Sequence, residues 1–333
     1  MTRCLITGIT GFVGSHLADY LLENTDWEIY GLIRWRSPLD NIEHLLPRIN
    51  ASDRVRLLYG DLRDSDSINQ AIRECLPDYV FHLAAQSYPK TSFTSPLDTY
   101  ETNISGTSRI LEALRQYAPE SIIHVCSSSE IFGRVPKEIL PINEDAPINP
   151  ASPYAISKVG TDLIGRFYAE AYRMNVQTTR MFSHTGPRRG DVFHESSFAK
   201  QIAMAEAGQT DAVIKVGNLK SLRTYADARD AVRAYHMLLT VNPIPGAYYN
   251  IGGDYTCTVE STLRHLMSLS PLAFIIEEDP DRLRPIDADL QVPNCEKFTK
   301  HTGWKPQIPF EQTMNDLMMY WRDRVETNKF LTR

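Results

Sequence analysis

Tyr154 and Lys158 stand four apart in a stretch, Pro153 to Met174, whose pattern reads as a helix, so the two side chains share one face. A phenol with its ordinary pKa of about 10 is a poor base at neutral pH; a neighbouring ammonium favours the phenolate and brings it into working range. Upstream, Ser127-Ser128-Ser129-Glu130 closes a short apolar run, Ile122–Ser127. A hydroxyl at Ser128 can hold the substrate oxygen that Tyr154 deprotonates. Glu130 adds what a plain dehydrogenase does not need, a carboxylate able to take a proton from the carbon beside a newly made ketone. Ser128, Glu130, Tyr154 and Lys158 are therefore the candidate catalytic group, and oxidation followed by loss of water is the chemistry that uses all four.

That chemistry requires a hydride carrier, and the N-terminus carries a place for one. Gly8-Ile9-Thr10-Gly11-Phe12-Val13-Gly14 lies between an apolar run and a helical pattern, with GxxGxxG spacing. Its glycines permit a tight turn and close backbone approach to a pyrophosphate, whose charge the helix N-terminus favours. At the end of the second run, Gly31-Leu32-Ile33-Arg34-Trp35-Arg36-Ser37 has no acid to grip a ribose 2′-hydroxyl. Two guanidinium groups, Arg34 and Arg36, suit a 2′-phosphate instead, so the expected cofactor is NADP. Asp61-Leu62 ends the third run and can hold the adenine edge. Leu83-Ala84-Ala85 ends the fourth, where small residues admit the cofactor backbone.

The elements that position these groups follow from periodicity. Strands are expected at Arg3–Thr7, Glu28–Ile33, Val55–Tyr59, Tyr79–Leu83, Ile122–Ser127 and Gln177–Met181, and helices at Gly14–Asn24, Ser65–Cys75, Pro96–Tyr117 and Pro153–Met174. This alternation signals βαβ units and an α/β fold, a doubly wound parallel sheet with helices on both faces. Several strands read as continuous apolar runs, as expected when both faces are covered. Residues 1–182 form the expected cofactor-binding domain, with a return strand near 247–251. Residues 183–246 and 252–330, richer in Pro, Gly and isolated arginines, form an expected discontinuous α/β lobe that caps the strand ends, where ligands of open α/β sheets bind.

Composition bounds the partners. The chain has 333 residues and a net charge of −6, which argues against nucleic acid as a partner and requires any anionic ligand to find a local cluster of arginines. The longest apolar runs, such as Tyr79 to Ala85, are too short to span a bilayer, and Met1 to Gly8 runs straight into a strand without room for a signal peptide. The five cysteines are scattered, odd in number and without a CxxC pair. Reduced thiols in a cytoplasmic protein are expected, with neither a disulfide framework nor a metal site.

Taken together, Gly8, Gly11, Gly14, Ser128, Tyr154 and Lys158 resemble the extended short-chain dehydrogenases/reductases. More closely the chain resembles the GDP-mannose 4,6-dehydratase family over nearly its whole length. Tyr59-Gly60-Asp61-Leu62, Ala85-Gln86-Ser87, Ser152-Pro153-Tyr154, Gly186-Pro187-Arg188-Arg189-Gly190, Gly217-Asn218-Leu219 and Gly303-Trp304-Lys305-Pro306 carry the likeness. It implies a Rossmann fold, a GDP-sugar substrate, and a homodimer or homotetramer. It places Ser128 at the family's catalytic threonine, Glu130 at its glutamate, and Arg188, Arg223 and Arg284 where nucleotide phosphates and ribose bind. Ser87 and Ser183 fall on the sugar side and His184 on the cofactor side; Arg34 and Arg36 fall near a cofactor-binding, tetramer-forming loop.

The chain departs from the family at Ser128, at Ser183-His184 where Asn-His is usual, at Phe132, in the Arg34-Trp35-Arg36 loop, and at Asp287 where a glutamate is usual. These leave mannose and a manno-heptose both open as the sugar. The implied activity is that of a hydro-lyase: conversion of the GDP-sugar to its 4-keto-6-deoxy form with an internal C4-to-C6 hydride shift on NADP. A GDP-4-keto-6-deoxy-mannose reductase shares much of the pattern, an epimerase less of it, and a non-catalytic NADP sensor would not need Ser128, Tyr154 and Lys158 together.

Overall fold

The computed structural model describes residues 1–286 and 288–330; Asp287, one of the departures above, lies outside them. The first half alternates strands β1 (Arg3–Thr7), β2 (Glu28–Ile33), β3 (Val55–Tyr59), β4 (Tyr79–His82), β5 (Ile122–Cys126) and β6 (Asn175–Met181) with helices α1 (Phe12–Asn24), α2 (Ser65–Cys75), α3 (Gly106–Tyr117) and α4 (Pro153–Tyr172). The second half adds β7 (His184–Thr185), β8 (Val213–Val216), β9 (Leu222–Asp227), β10 (Tyr248–Ile251), β11 (Tyr255–Thr258), β12 (Ile275–Glu278) and β13 (Leu290–Gln291). Its helices are α5 (His194–Glu206), α6 (Ala228–Thr240), α7 (Val259–Ser268), α8 (Glu296–Thr302) and α9 (Phe310–Glu326).

Seven parallel strands form the main sheet in the order β10-β6-β5-β4-β1-β2-β3. The apolar runs are buried on both sides. Cys4, Ile6, Ile29 and Phe81 pack beneath α1 and α6, while Leu5, Leu32, Val80 and Ile123 pack against α2, α3 and α4. Strand order reverses between β1 and β4, and the crevice beyond their carboxyl ends is where such sheets bind ligands.

Two details differ from the sequence reading. The expected helix over 96–117 runs Pro96–Tyr100, a π-helical turn at Glu101–Ser105, then α3. Helix α6, from the segment expected to belong to the lobe, packs on α1 and the main sheet through Ala231, Tyr235 and Leu238. Helix α8 joins the same side through Phe298, while α5, α7 and α9 build a separate core from Phe198, Ile202, Leu263, Met314, Leu317 and Trp321. There β9 joins β7, β11 and β13 in a four-stranded sheet, and β8 pairs with β12.

Candidate active site

A cleft of about 1490 Å³ opens beyond the carboxyl ends of β1, β4 and β5 and runs out between the two cores. Its inner wall begins at the glycine turn. Gly8 adopts φ +77°, and a Cβ on it would lie 3.0 Å from the backbone of Ala84. A Cβ on Gly14 would lie 2.2 Å from the carbonyl oxygen of Gly8, so the turn closes only with glycine there. Thr10, Gly11, Phe12 and Val13 complete this edge, and Leu83, Ala84 and Ala85 face it. Thr7 ties the two sides together, its hydroxyl accepting from the amides of Leu83 and Ala84 at 3.1 Å each.

At the end of β2, Arg34 lines the cleft and Arg36 does not. The turn folds on itself, Ser37 N donating to the Arg34 carbonyl and Arg34 N to the Ser37 hydroxyl, with Trp35 laid against Tyr59. Ser37 therefore reaches the wall and Arg36 stays outside, which corrects the expectation for Arg36. Asp61 and Leu62 line the same end. Burial works against the charge on Asp61, but the N–H groups of Arg63 and the more distant Arg34 hold its carboxyl below the usual carboxylate range. An ionised acceptor thus faces this end of the cleft. These features fit a dinucleotide with a 2′-phosphate: a cradle that any Cβ would fill, no acid at the ribose position, and one guanidinium in its place.

The catalytic candidates meet midway along the cleft. Ser152 caps α4, its hydroxyl accepting from Ala155 N at 3.0 Å, and Pro153 suits the first turn. Tyr154 and Lys158 then project from the first two turns toward Ser128 and Glu130 at the end of β5. Burial pushes the Tyr154 phenol well above its ordinary value, while the Ser128 hydroxyl and the Arg189 guanidinium pull it back. Lys158 is not hydrogen-bonded to the phenol. Its Nζ lies 5.9 Å from the centre of the Tyr154 ring and donates to the Cys126 carbonyl at 2.7 Å. Burial also lowers the Lys158 ammonium. Glu130 sits on a 3-10 turn, its amide donating to the Ser128 hydroxyl at 3.2 Å and its carboxylate 3.9 Å from Arg284.

Asn103, in the π turn, was missed in the sequence. Its amide group donates to the Ser157 hydroxyl at 2.8 Å and to the Gln86 carbonyl at 3.0 Å, and its carbonyl accepts from Gln86 N at 2.8 Å. It thereby locks the loop after β4 to α4. A π turn has no local sequence signature, so nothing marked this residue in advance.

On the substrate side, Ser87, Ser183, Arg223 and Arg284 line the cleft, as does His184 beside the glycine turn. His184 stacks on Phe12 with ring centres 5.7 Å apart, and burial pushes its imidazole down to about 4, so it is neutral. Arg223 on β9 donates to the Ala288 carbonyl at 2.5 Å. Arg188, expected as a phosphate ligand, faces the other way and pairs with Asp19 of α1 at 2.7 Å. Its left-handed backbone, φ +69°, turns the next residue inward, so Arg189 takes the place in the cleft. Lys200, Glu195 and His194 also line the wall unforeseen. Among the described residues no three His, Cys, Asp or Glu side chains gather as a metal-ligand set.

A family profile described as GDP-mannose 4,6 dehydratase matches residues 5–317. The GDP-mannose 4,6 dehydratase of Drosophila melanogaster is 33% identical over 94% of this chain and 84% of its own length. The GDP-6-deoxy-D-mannose reductase of Pseudomonas aeruginosa is 30% identical over 97% of this chain and 98% of its own. A solved structure of RMD from Pseudomonas aeruginosa complexed with NADPH superposes with a TM-score of 0.82, at 28% identity, over 97% of this chain and 100% of that one. Over the span that holds both the glycine cradle and the Ser128–Glu130–Tyr154–Lys158 group, this chain belongs to the GDP-mannose 4,6-dehydratase family.

Proposed function

We propose that the protein is an NADP-dependent GDP-sugar 4,6-dehydratase acting on GDP-mannose or a GDP-manno-heptose. The observation that carries the reading is Glu130, a carboxylate in the same cleft as Tyr154, Ser128 and Lys158. NADP, when bound, supplies a ring that takes up and returns hydride. Gly8, Gly11, Gly14 and Arg34 would hold its phosphates, and Asp61 its adenine. Ser128 Oγ orients the C4 hydroxyl, and Tyr154 Oη accepts that hydroxyl's proton. Because burial raises the Tyr154 phenol, this transfer depends on the positive charge of Lys158 and Arg189. Once C4 is a ketone, the hydrogen on C5 is acidic. Glu130 removes it as a proton and passes a proton to the C6 oxygen, which leaves as water. Ser129, adjacent to Glu130, has no acidic proton, so one carboxyl serves both steps. Arg284, beside Glu130, and Arg223 bind the substrate diphosphate; Ser87 and Ser183 bind the sugar.

The later elements outside α6, α8 and β10 form a lobe that closes the cleft from the outside. Leu97, Ile156, Leu163 and Phe167 form an exposed apolar strip on α4 and the helix before the π turn, which supports pairing with the same strip of a second copy as a homodimer or within a homotetramer. All five cysteines are unpaired, which supports a cytoplasmic setting. No helix among the described residues is long and apolar enough to cross a membrane.

Incubation with GDP-mannose and GDP-manno-heptose separately, without added NADPH, tests the assignment by mass spectrometry. Loss of one water from either substrate supports it and names the sugar. The reductase relative, matched over almost its entire length, keeps a second reading in view. Net oxidation of NADPH on a 4-keto-6-deoxy substrate, with no water lost from either GDP-sugar, would transfer the assignment to a reductase.

A further inference from the structure

The segment from Gly186 to Glu195 folds so that one arginine is anchored outside the cleft and the next is turned into it. His16 of α1 donates from Nε2 to the Pro187 carbonyl at 2.8 Å, and Arg188 donates to Asp19 at 2.7 Å. Arg188 accepts the left-handed conformation, φ +69°, at a steric cost that a side chain normally avoids. Arg189 therefore enters the cleft wall, its side chain only 14% exposed. Its guanidinium carbon lies 3.5 Å from the centre of the Phe193 ring and 5.1 Å from that of Phe12.

The five N–H donors of this arginine make no hydrogen bond to the described residues, the buried Nε included. Its ion partner is Glu195, whose Oε1 is 3.5 Å from Nε. Glu195 is 2% exposed. Its other oxygen lies 3.3 Å from Nδ1 of His194, whose Nε2 meets the Tyr225 hydroxyl at 2.7 Å. Burial disfavours the charge on Arg189 and Glu195 offsets it. Burial also disfavours the Glu195 carboxylate, but His194 and Arg189 hold that carboxyl below its usual range. The two charges sustain each other, and loss of one leaves the other buried and uncompensated. Arg189 is thus held by charge and by ring faces, with its donors unspent beside a cleft built for nucleotides.

We propose that Glu195 is a positioning residue, the buried counter-ion that holds Arg189 aimed into the cleft, where the guanidinium binds a diphosphate oxygen. The inference rests on the nucleotide-binding reading above. Cofactor and substrate nucleotide both carry a diphosphate, so the experiment separates them. Binding of NADP and of GDP is measured by calorimetry, without turnover, for the wild type, Glu195→Gln, Glu195→Asp, Arg189→Met and the double variant Glu195→Gln/Arg189→Met. Glu195→Gln is expected to weaken one of the two ligands roughly tenfold, within the range of couplings in one charge network, and Glu195→Asp to recover most of it. In the Arg189→Met background, Glu195→Gln is expected to change that affinity less than about twofold. The double variant is also expected to melt at a higher temperature than Arg189→Met alone, because the lone carboxylate has been removed. The ligand that weakens identifies which diphosphate Arg189 meets. Unchanged binding in Glu195→Gln, or an equal loss with and without Arg189, overturns the proposal. A wild type that binds both ligands but eliminates no water overturns the dehydratase reading and leaves the counter-ion role standing.

Discussion

The two walls of the cleft are made of different material. The cofactor wall is mostly backbone: a left-handed Gly8, a Gly14 pressed on the Gly8 carbonyl, and the amides of Leu83 and Ala84 tied to Thr7. The facing wall is mostly long cationic side chains, each set against a protein partner. Arg223 leans on the Ala288 carbonyl, Arg284 approaches Glu130, and Arg189 faces Glu195. A backbone wall tolerates no added atom and depends little on charge. A wall of guanidinium groups tolerates small changes in shape and depends on each counter-ion.

The sharpest break of this contrast falls where the walls meet. Tyr154→Phe removes the phenol proposed to take the C4 proton, and turnover is expected to fall by ~10³-fold or more, near the upper range for a placed acid–base group. Stopped-flow absorbance of the reduced cofactor together with product mass checks it; turnover within tenfold of wild type would move the base elsewhere. Glu130→Gln is expected to cut water loss by ~10²–10⁴-fold while C4 oxidation survives, so reduced cofactor accumulates on mixing with substrate. Wild-type water release by that variant would remove the elimination step from this residue.

On the backbone wall, Gly14→Ala places a methyl 2.2 Å from the Gly8 carbonyl. The turn must open, at a cost of roughly 1–3 kcal/mol measured by urea unfolding, with a parallel loss of NADP affinity. A smaller contrast tests the Arg34 turn. Arg34→Ala is expected to weaken NADP by about tenfold, as when a charged hydrogen bond is lost, and to leave NAD unaffected, whereas Arg36→Ala changes neither. Equal losses in the two variants would show that the turn rearranges on binding.

One further effect concerns acid and lies outside both walls. His124 lies in the sheet, fully buried, and burial pushes its imidazole down to about 3. The unfolded chain takes up a proton at that residue below about pH 6.5 and the folded chain does not, so stability falls as pH drops from there toward 3. The slope is roughly 1.4 kcal/mol per pH unit for this residue. His124→Gln, urea-unfolded at pH 7, 5.5 and 4.5, is expected to be less acid-sensitive than the wild type by about that slope; an identical slope would place the acid weakness outside the sheet.

The same contrast decides what could be read in advance. Strands β1 and β2 end where the apolar runs end, because both their faces are buried and hydrophobic pattern sets their limits. The Tyr154–Lys158 pair and the glycine turn are local spacings and are visible as such. Arg188 and Arg189 are identical in type and adjacent, and what separates them is a left-handed residue and an ion pair to Asp19 that no spacing encodes. Arg36 was misplaced for a similar reason, since a four-residue turn closed by Ser37 decides which side chain faces inward. The short strands β7, β11 and β13 acquire their identity only by pairing with β9 or its neighbours, contacts made across long stretches of chain.

Strand β10 closes the main sheet beside β6, yet the chain reaches it only after passing through much of the outer lobe. During synthesis, β6 therefore waits with one row of amides and carbonyls unpaired until residues to Ile251 have emerged from the ribosome. An unpaired edge in that interval is open to any other extended chain. A slowly translated or misfolded segment between Met181 and Tyr248 would then lower the yield of folded protein without altering a single contact in the finished molecule.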